Sequence, residues 1–175
     1  STMAQKFVRA LKNQYYESLW EMINESSFLD YLIFQDYVGN FDWPHNNSRM
    51  YSVNGEPFRF ILYDLDFSAF NNKNPILPEM EYRSDDLSKL YREMRKKPGF
   101  DDRLKQRQIE LYQKLSPDAF NRIVDANTRI IEEEIPYFLA KYNRPQSMLQ
   151  WRRNLDLMRR EFRMRDKSIR DKYDL

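Results

Sequence analysis

The sequence predicts a mostly α-helical single domain over residues 1–175, with one small β-hairpin (an α+β fold). Only 3 of the 175 residues are glycine, which is too few for an all-β protein with many tight turns. Apolar residues recur at helical spacing through most of the chain. A single Asn54-Gly55 pair stands between two short apolar runs, and this pair is typical of a hairpin turn.

Two helices are predicted before the hairpin. The first covers residues 3–23, where apolar side chains follow a helical period. Ser26 or Ser27 is expected to cap the second helix, because serine readily accepts a hydrogen bond from the first turn. Gly39-Asn40 is expected to end that helix.

The hairpin follows an ordered loop at residues 41–48. We expect it to pair residues 50–53 with residues 58–63. The second strand is almost continuously apolar, which predicts that it is buried on both faces.

The second half of the chain is predicted to be helical. Residues 71–83 are expected to form an irregular loop, and residues 84–175 a series of helices. The helix boundaries are predicted at Pro98-Gly99, at Ser116-Pro117, at Pro136 and near Gln146.

Composition excludes several classes of protein. The 29 basic and 27 acidic residues give a net charge of +2, so we expect no nucleic-acid partner. The absence of cysteine excludes disulfides, zinc–thiolate sites and cysteine nucleophiles. No apolar run approaches the roughly 18 residues of a membrane span, so none is expected within these residues.

The first candidate for chemistry is the pair Asp42 and Asn47. Their Asp-x₄-Asn spacing is that of the protein-kinase catalytic loop, in which the aspartate accepts a hydroxyl proton and the asparagine ligates magnesium. The alternative is that both are ordinary loop residues that hydrogen-bond their own backbone.

The second candidate is Asp64-Leu65-Asp66, at the predicted end of the apolar strand. Carboxylates at positions i and i+2 of a strand point the same way, and magnesium prefers one or two carboxylates together with substrate phosphates. The alternatives are a pair of turn-capping aspartates, or a calcium site that only stabilises a loop.

These motifs together resemble the CotH (spore coat protein H) kinase-like family. The resemblance is carried by Gly39-Asn40-Phe41-Asp42-Trp43 with Asn47, by Tyr63-Asp64-Leu65-Asp66-Phe67, by residues 90–100 and by the run from Trp151 to Arg165. It covers most of the chain and is more specific than any one motif.

The resemblance implies the C-terminal lobe of an atypical protein-kinase fold. Members transfer the γ-phosphate of ATP to Ser/Thr residues of a protein with a divalent metal, Mg²⁺ or Mn²⁺. Carried over by position, Asp42 is the catalytic base, Asn47 and Asp64 are metal ligands, and Asp66 is a second metal-associated acid. The family also points to a bacterial parent protein that is exported to the cell envelope or surface, a location that these residues leave open.

The chain departs from a complete kinase in one respect. A kinase holds the ATP phosphates with a lysine on a strand, whereas Lys6 and Lys12 lie on a predicted helix. We therefore expect only the C-terminal lobe here, inactive by itself. Asn71 also replaces a glycine that often follows the D-x-D segment. The alternative function is a non-catalytic CotH-like surface module that keeps the fold and a metal.

Two further features are expected to be structural. His45, the single histidine, is predicted to be an exposed loop residue. The arginine-rich last helix is interleaved with acidic residues, which indicates a solvated helix with surface ion pairs.

Overall fold

The computed structural model of the protein describes residues 2–13, 15–69 and 74–175. In these ranges the chain forms helices and one two-stranded antiparallel sheet. The elements are α1 (Met3–Asn13), α2 (Tyr16–Met22), α3 (Glu25–Val38), β1 (Arg49–Tyr51), β2 (Arg59–Ile61), a 3₁₀ helix (Leu77–Glu81), α4 (Asp86–Arg95), α5 (Phe100–Tyr112), α6 (Pro117–Ile131), α7 (Ile135–Tyr142) and α8 (Met148–Tyr173). The predicted class, mostly α with a small β-hairpin, is confirmed.

Helix α3 is the centre of the fold. Most of its side chains are buried, because apolar residues occur on every face and it packs against β2, α5 and α8. Its last residues lead directly into the loop of Asp42. The most buried helix of the molecule therefore supports the candidate site.

The predicted helix over residues 3–23 is divided into α1 and α2. Tyr15 has a non-helical backbone, with ψ of 78°, and residue 14 lies outside the described ranges. Helix α2 then ends at Met22, since residues 22–24 pair with Phe58 instead. The Phe58 N–H donates to Met22 O at 2.7 Å, and the Asn24 N–H donates to Phe58 O at 2.9 Å. This pairing between segments distant in sequence ends the helix.

The predicted serine cap of α3 is wrong. The cap is Asn24, whose Oδ1 accepts a hydrogen bond from the Ser27 N–H at 2.9 Å. The helix begins at Glu25, so Ser26 and Ser27 already lie within its first turn. The Ser27 hydroxyl accepts a bond from the Phe60 N–H of β2.

The hairpin has the predicted turn but shorter strands. Asn54 and Gly55 both have positive φ, 54° and 79°. The pairs run only from Arg49↔Ile61 to Tyr51↔Arg59.

The prediction that the second strand is buried on both faces is wrong. Only its middle residue, Phe60, turns inward, where it stacks on Phe28 and Tyr31 of α3 at ring-centroid distances of 4.8 and 4.9 Å. Arg59 and Ile61 are exposed, because α3 covers a single face of this two-stranded sheet.

The second half of the chain is helical as predicted, with two differences. The segment predicted to be irregular contains the 3₁₀ helix. Pro136 does not end α6, which stops at Ile131; it lies in the first turn of α7, where proline is well tolerated. Ser116 does cap α6, since its Oγ accepts from the Ala119 N–H at 3.1 Å. None of the helices in the described ranges is both long and apolar enough to cross a membrane.

Candidate functional site

The end of α3 determines where the Asp42 loop begins. Gly39 closes the helix in the left-handed conformation, with φ of 63°, and its N–H donates to the carbonyls of Gln35 and Asp36. This reversal is common at helix C-termini and favours glycine. Asn40 follows directly and is buried.

Asn40 connects the Asp42 loop to the segment that contains the two aspartates. Its Nδ2 donates to the Asp64 carbonyl and to Gln35 Oε1, both at 3.2 Å. Its Oδ1 accepts from the Asp42 N–H, also at 3.2 Å. The sequence suggested only that Asn40 ends a helix; an amide side chain directly after the helix-ending glycine was the available signal.

The main chains of the two segments also pair with each other. The Phe41 N–H donates to Phe67 O at 3.1 Å, and the Ala69 N–H donates to Val38 O at 2.8 Å. Val38 and Phe41, which make these bonds, lie on either side of Asn40 in the sequence. The residues just after α3 and those just after Asp66 are thus held side by side.

Asp64 and Asp66 do not lie in a strand. Strand β2 ends at Ile61, and Asp64 adopts a left-handed backbone conformation with φ of 54°. The expectation that the two aspartates continue a strand is therefore wrong, because β2 has ended and the chain has already turned at Asp64. Both residues are exposed and belong to the loop after β2.

Asn47 reaches the same segment from the other end of the Asp42 loop. Its Nδ2 lies 3.5 Å from the Asp64 carbonyl, a long hydrogen bond. The Asn47 side chain therefore contacts the D-x-D segment, whereas the alternative interpretation expected a bond to its own backbone. Two amide side chains, Asn40 and Asn47, thus point to one carbonyl.

Negative charge is concentrated where these segments meet. The pKa of Asp64 is raised above its ordinary value, first by a hydrogen bond with Asp66 and further by the negative charges of Asp66 and Asp42; the positive charge of Arg49 opposes the shift. The Arg49 guanidinium itself stacks over the Tyr63 ring at 4.7 Å. All three predicted acids therefore contribute to one electrostatic environment.

The described residues do not form a ready-made metal cluster. In residues 2–13, 15–69 and 74–175, no group of three or more His, Cys, Asp or Glu side chains is arranged to hold a metal ion. The candidate metal ligands are the exposed carboxylates of Asp64 and Asp66 and the amide oxygen of Asn47. This donor set suits Mg²⁺ or Mn²⁺ that completes its shell with phosphate oxygens.

The other predicted loop residues lie as follows. Trp43 is buried and its ring contacts Tyr31 edge-on at 6.1 Å, which fixes the loop on α3. His45 is exposed, and its Nδ1 lies 3.2 Å from Arg83 Nη2. The position of Asn71, where a family glycine was expected, lies outside the described residues.

One residue of the last helix contradicts the prediction of a solvated surface. Arg152 and Arg159 do form surface ion pairs, with Glu132 and Asp125. Arg165, however, is buried beneath the end of α3. Arg165 follows Phe162 by three residues and precedes Ile169 by four, so it lies on the buried face of α8. This spacing was the signal that could have identified it.

A cavity of about 510 Å³ lies beside the site. It is formed by α1, the hairpin and α4, and includes Ser48 and Met50 just after Asn47. Asp42, Asp64 and Asp66 are not among the described residues that line it. The concentration of acids and the cavity are therefore neighbouring but separate features.

Comparison with known proteins gives one result. The model of the family described as CotH kinase protein matches residues 1–169. No curated protein and no solved structure matched the chain. Since the family match covers nearly all of the 175 residues, the chain belongs to the CotH kinase protein family.

Proposed function

We propose that this chain contains the phosphotransfer centre of a protein kinase, which transfers the γ-phosphate of ATP to serine or threonine hydroxyls. The observation that carries the proposal is the convergence of Asn40 and Asn47 on the Asp64 carbonyl. It brings the loop of Asp42 against the D-x-D segment, as an arrangement of base and metal ligands requires. Membership of the CotH kinase protein family supports the same conclusion.

Asp42 is the catalytic base in this proposal. Its carboxylate accepts the proton of the substrate hydroxyl, while the hydroxyl oxygen forms a bond to the γ-phosphorus and the bond from that phosphorus to ADP breaks. The hydrogen bond that the Asp42 N–H donates to Asn40 Oδ1 fixes the backbone that holds this carboxylate. A fixed base is useful here because phosphoryl transfer depends mainly on positioning.

Asn47, Asp64 and Asp66 are the residues that would hold a divalent metal. A bound Mg²⁺ or Mn²⁺ supplies positive charge that stabilises the phosphate oxygens. The amide of Asn47 adds a ligand without adding negative charge. The hydrogen bond with Asp66 is the largest cause of the raised pKa of Asp64, and the negative charges of Asp66 and Asp42, which add to it, are what a cation at this position would offset.

The phosphates of ATP need a further cation. Lys6 and Lys12 lie in helix α1 rather than on a strand, so they are poor equivalents of the kinase lysine. We propose that a lobe outside the present sequence supplies it, and that this chain is the C-terminal lobe of the kinase. From membership of the family we also propose that the acceptor is a protein Ser/Thr residue and that the parent protein acts at a bacterial cell envelope or surface.

A second candidate function is a non-catalytic interaction module with the same fold. Exposed aromatic residues beside the acids favour it: Phe41 is 63% exposed and Phe67 is 50% exposed. Exposed aromatic side chains of this kind are common at protein-binding surfaces. In this alternative the acids hold a structural metal or none.

The test separates the two candidates. The full-length parent protein is incubated with ATP and either Mg²⁺ or Mn²⁺, and phosphoserine and phosphothreonine are identified by mass spectrometry. We expect phosphate on the protein itself or on an added acceptor protein, and none when the metal is chelated. The absence of phosphate transfer with both metals, in protein that is folded, would support the interaction module.

A further inference from the structure

Arg165 is buried beneath the Asp42 loop although it belongs to the last helix. Its side chain is 1% exposed. The guanidinium donates to three backbone carbonyls: Nε to Tyr37 at 3.1 Å, Nη1 to Asn74 at 2.6 Å, and Nη2 to Asp36. A buried arginine that donates to main-chain carbonyls of separate segments joins those segments.

Two of these carbonyls belong to the last turn of α3, and the third belongs to Asn74. Asp36 and Tyr37 are in the last turn of α3, which leads through Gly39 to Asp42, and the Asp36 carbonyl also accepts from the Gly39 N–H. Asn74 lies in the segment that follows the D-x-D of Asp64 and Asp66. Arg165 therefore joins the end of α3, which leads to Asp42, to Asn74, which follows the D-x-D segment in the chain.

Asp36 makes the buried charge of Arg165 tolerable. Arg165 Nη2 lies 3.8 Å from Asp36 Oδ1, and the Asp36 side chain is 0% exposed. Asp36 Oδ1 also accepts from the N–H groups of Ile76 and Leu77, and its Oδ2 accepts from the Tyr173 hydroxyl at 2.5 Å. The pair is thus hydrogen-bonded on several sides, which a buried ion pair requires.

The contact with Gly39 is close. A Cβ atom at Gly39 would lie 2.8 Å from Arg165 Nε. The guanidinium thus rests directly against the turn that precedes Asn40, whose side chain binds the Asp64 carbonyl. A shift of Arg165 would be transmitted through Gly39 and Asn40 to both acid-bearing segments.

We propose that Arg165 is a positioning residue, which holds the loop of Asp42 in register with the segment of Asp64 and Asp66. The planar guanidinium is suited to this role because its fork of N–H groups reaches three carbonyls at once, which the single ammonium of lysine cannot. The effect on phosphate transfer rests on the proposed function; the effect on loop geometry does not.

The test compares Arg165→Lys with Ile169→Ala in the full-length protein. Arg165→Lys keeps the charge and loses the fork. Ile169 is fully buried one turn further along α8, so its truncation weakens the core without removing these hydrogen bonds. Hydrogen exchange is measured at the Phe41 and Ala69 amides, which pair the two segments, and at Val124 in α6 as a reference.

We expect Arg165→Lys to speed exchange at Phe41 and Ala69 by about tenfold relative to Val124, the scale of losing about one to two hydrogen bonds. We also expect a fall of about tenfold or more in kcat with little change in KM for ATP, as for an interaction that matters in the transition state. Ile169→Ala should alter exchange at all three amides alike and leave kcat unchanged after correction for the folded fraction.

The outcomes separate the inference from the proposed function. Local exchange acceleration in Arg165→Lys, with no phosphate transfer even in the unaltered protein, supports the positioning role and contradicts the kinase. Equal behaviour of Arg165→Lys and Ile169→Ala overturns the positioning role. If Arg165→Lys does not fold, Tyr173→Phe is the second variant, because it removes one hydroxyl donor to Asp36. It should speed exchange at Phe41 and Ala69 by about threefold relative to Val124. Unchanged exchange at these two amides in Tyr173→Phe would also overturn the positioning role.

Discussion

At the scale of single residues, Gly39 has two independent reasons to be glycine. Its φ of 63° lies in the left-handed region, and its Cα faces the Arg165 guanidinium with no room for a side chain. Gly55 in the hairpin turn has φ of 79°, but among the described residues no atom beyond its two chain neighbours lies within 4 Å of its Cβ position. Both glycines thus have a positive φ, but only Gly39 also packs closely against a side chain.

This difference predicts the cost of two alanine substitutions. Gly55→Ala should lower the free energy of unfolding by about 1 kcal/mol, from backbone strain alone. Gly39→Ala should lower it by about 2–4 kcal/mol, since the added methyl must also displace Arg165. Urea denaturation of both variants measures the difference, and equal costs would contradict the close packing of Arg165 against Gly39.

The residue-scale features of the site were only partly predictable from the sequence. Asp42, Asn47, Asp64 and Asp66 follow a recognisable spacing, so their proximity could be expected. The roles of Asn40 and Arg165 could not, because each depends on contacts with residues distant in sequence. The spacing of Arg165 from Phe162 and Ile169 indicates a buried position, but it does not indicate which carbonyls the guanidinium binds.

At the scale of elements, helix α3 supports the site and its first turn is held from two sides. Asn24 caps the helix. Glu25 forms ion pairs with Lys97, in the connection between α4 and α5, and with Arg103, in α5. The Asn24 cap is a local hydrogen bond, whereas the ion pairs of Glu25 join α3 to separate parts of the chain. Each can be removed without touching the Asp42 loop.

The cap gives a direct prediction. Asn24→Ala should lower the free energy of unfolding by about 1 kcal/mol, because the Ser27 N–H loses its partner. The control is Ser26→Ala, an exposed position in the first turn, which should change it by less than about 0.5 kcal/mol. A larger cost at Ser26 in thermal or urea denaturation would mean that the helix begins later than Glu25.

The ion pairs of Glu25 predict a dependence on pH. Partial burial raises the pKa of Glu25, but hydrogen bonds from Arg103 and Lys97 outweigh this, so the pKa lies below the ordinary value of 4.5. A lowered pKa in the folded state means that the charged carboxylate stabilises the fold above pH 4.5, and that this contribution is lost as the pH falls through the folded-state pKa.

Glu25→Gln should therefore lower the free energy of unfolding at pH 7 by about 0.5–1 kcal/mol, the scale of a solvent-screened pair. The cost should shrink toward zero as the pH falls below 4.5. Glu21→Gln, an exposed glutamate in α2, is the control and should show little effect at either pH. A cost at Glu25 that is the same at both pH values would count against the ion pairs.

Element boundaries were predictable where the signal is local. Gly39 and the Asn54-Gly55 turn act through their own backbone, and Ser116 acts through a side-chain hydrogen bond to the nearby Ala119 N–H. Each lies where the sequence indicated. The division between α1 and α2 was missed, and so was the exposure of β2. These depend on the pairing of residues 22–24 with Phe58 and on a sheet that one helix covers on one face.

At the scale of the whole molecule, α3 and α8 meet beneath one exposed concentration of acids. Arg165 from α8 binds the end of α3, and Asn40 and Asn47 join that end to the D-x-D segment. The helical scaffold, the hairpin and the family all agree with the sequence prediction. The kinase-lobe arrangement and the roles of the acids stay predictions, because they concern a nucleotide, a metal and an acceptor protein.

The assignment of Asp42 as the catalytic base is tested by the rate of phosphate transfer by Asp42→Asn. The full-length protein, with saturating ATP and Mg²⁺ or Mn²⁺, is compared with Asp42→Asn and with Asp171→Asn, an exposed aspartate near the end of α8. If Asp42 is the base, Asp42→Asn should lower kcat by about 10²–10⁴-fold with its fold intact, while Asp171→Asn keeps the full rate. An Asp42→Asn protein that transfers phosphate as fast as the unaltered one would contradict the account.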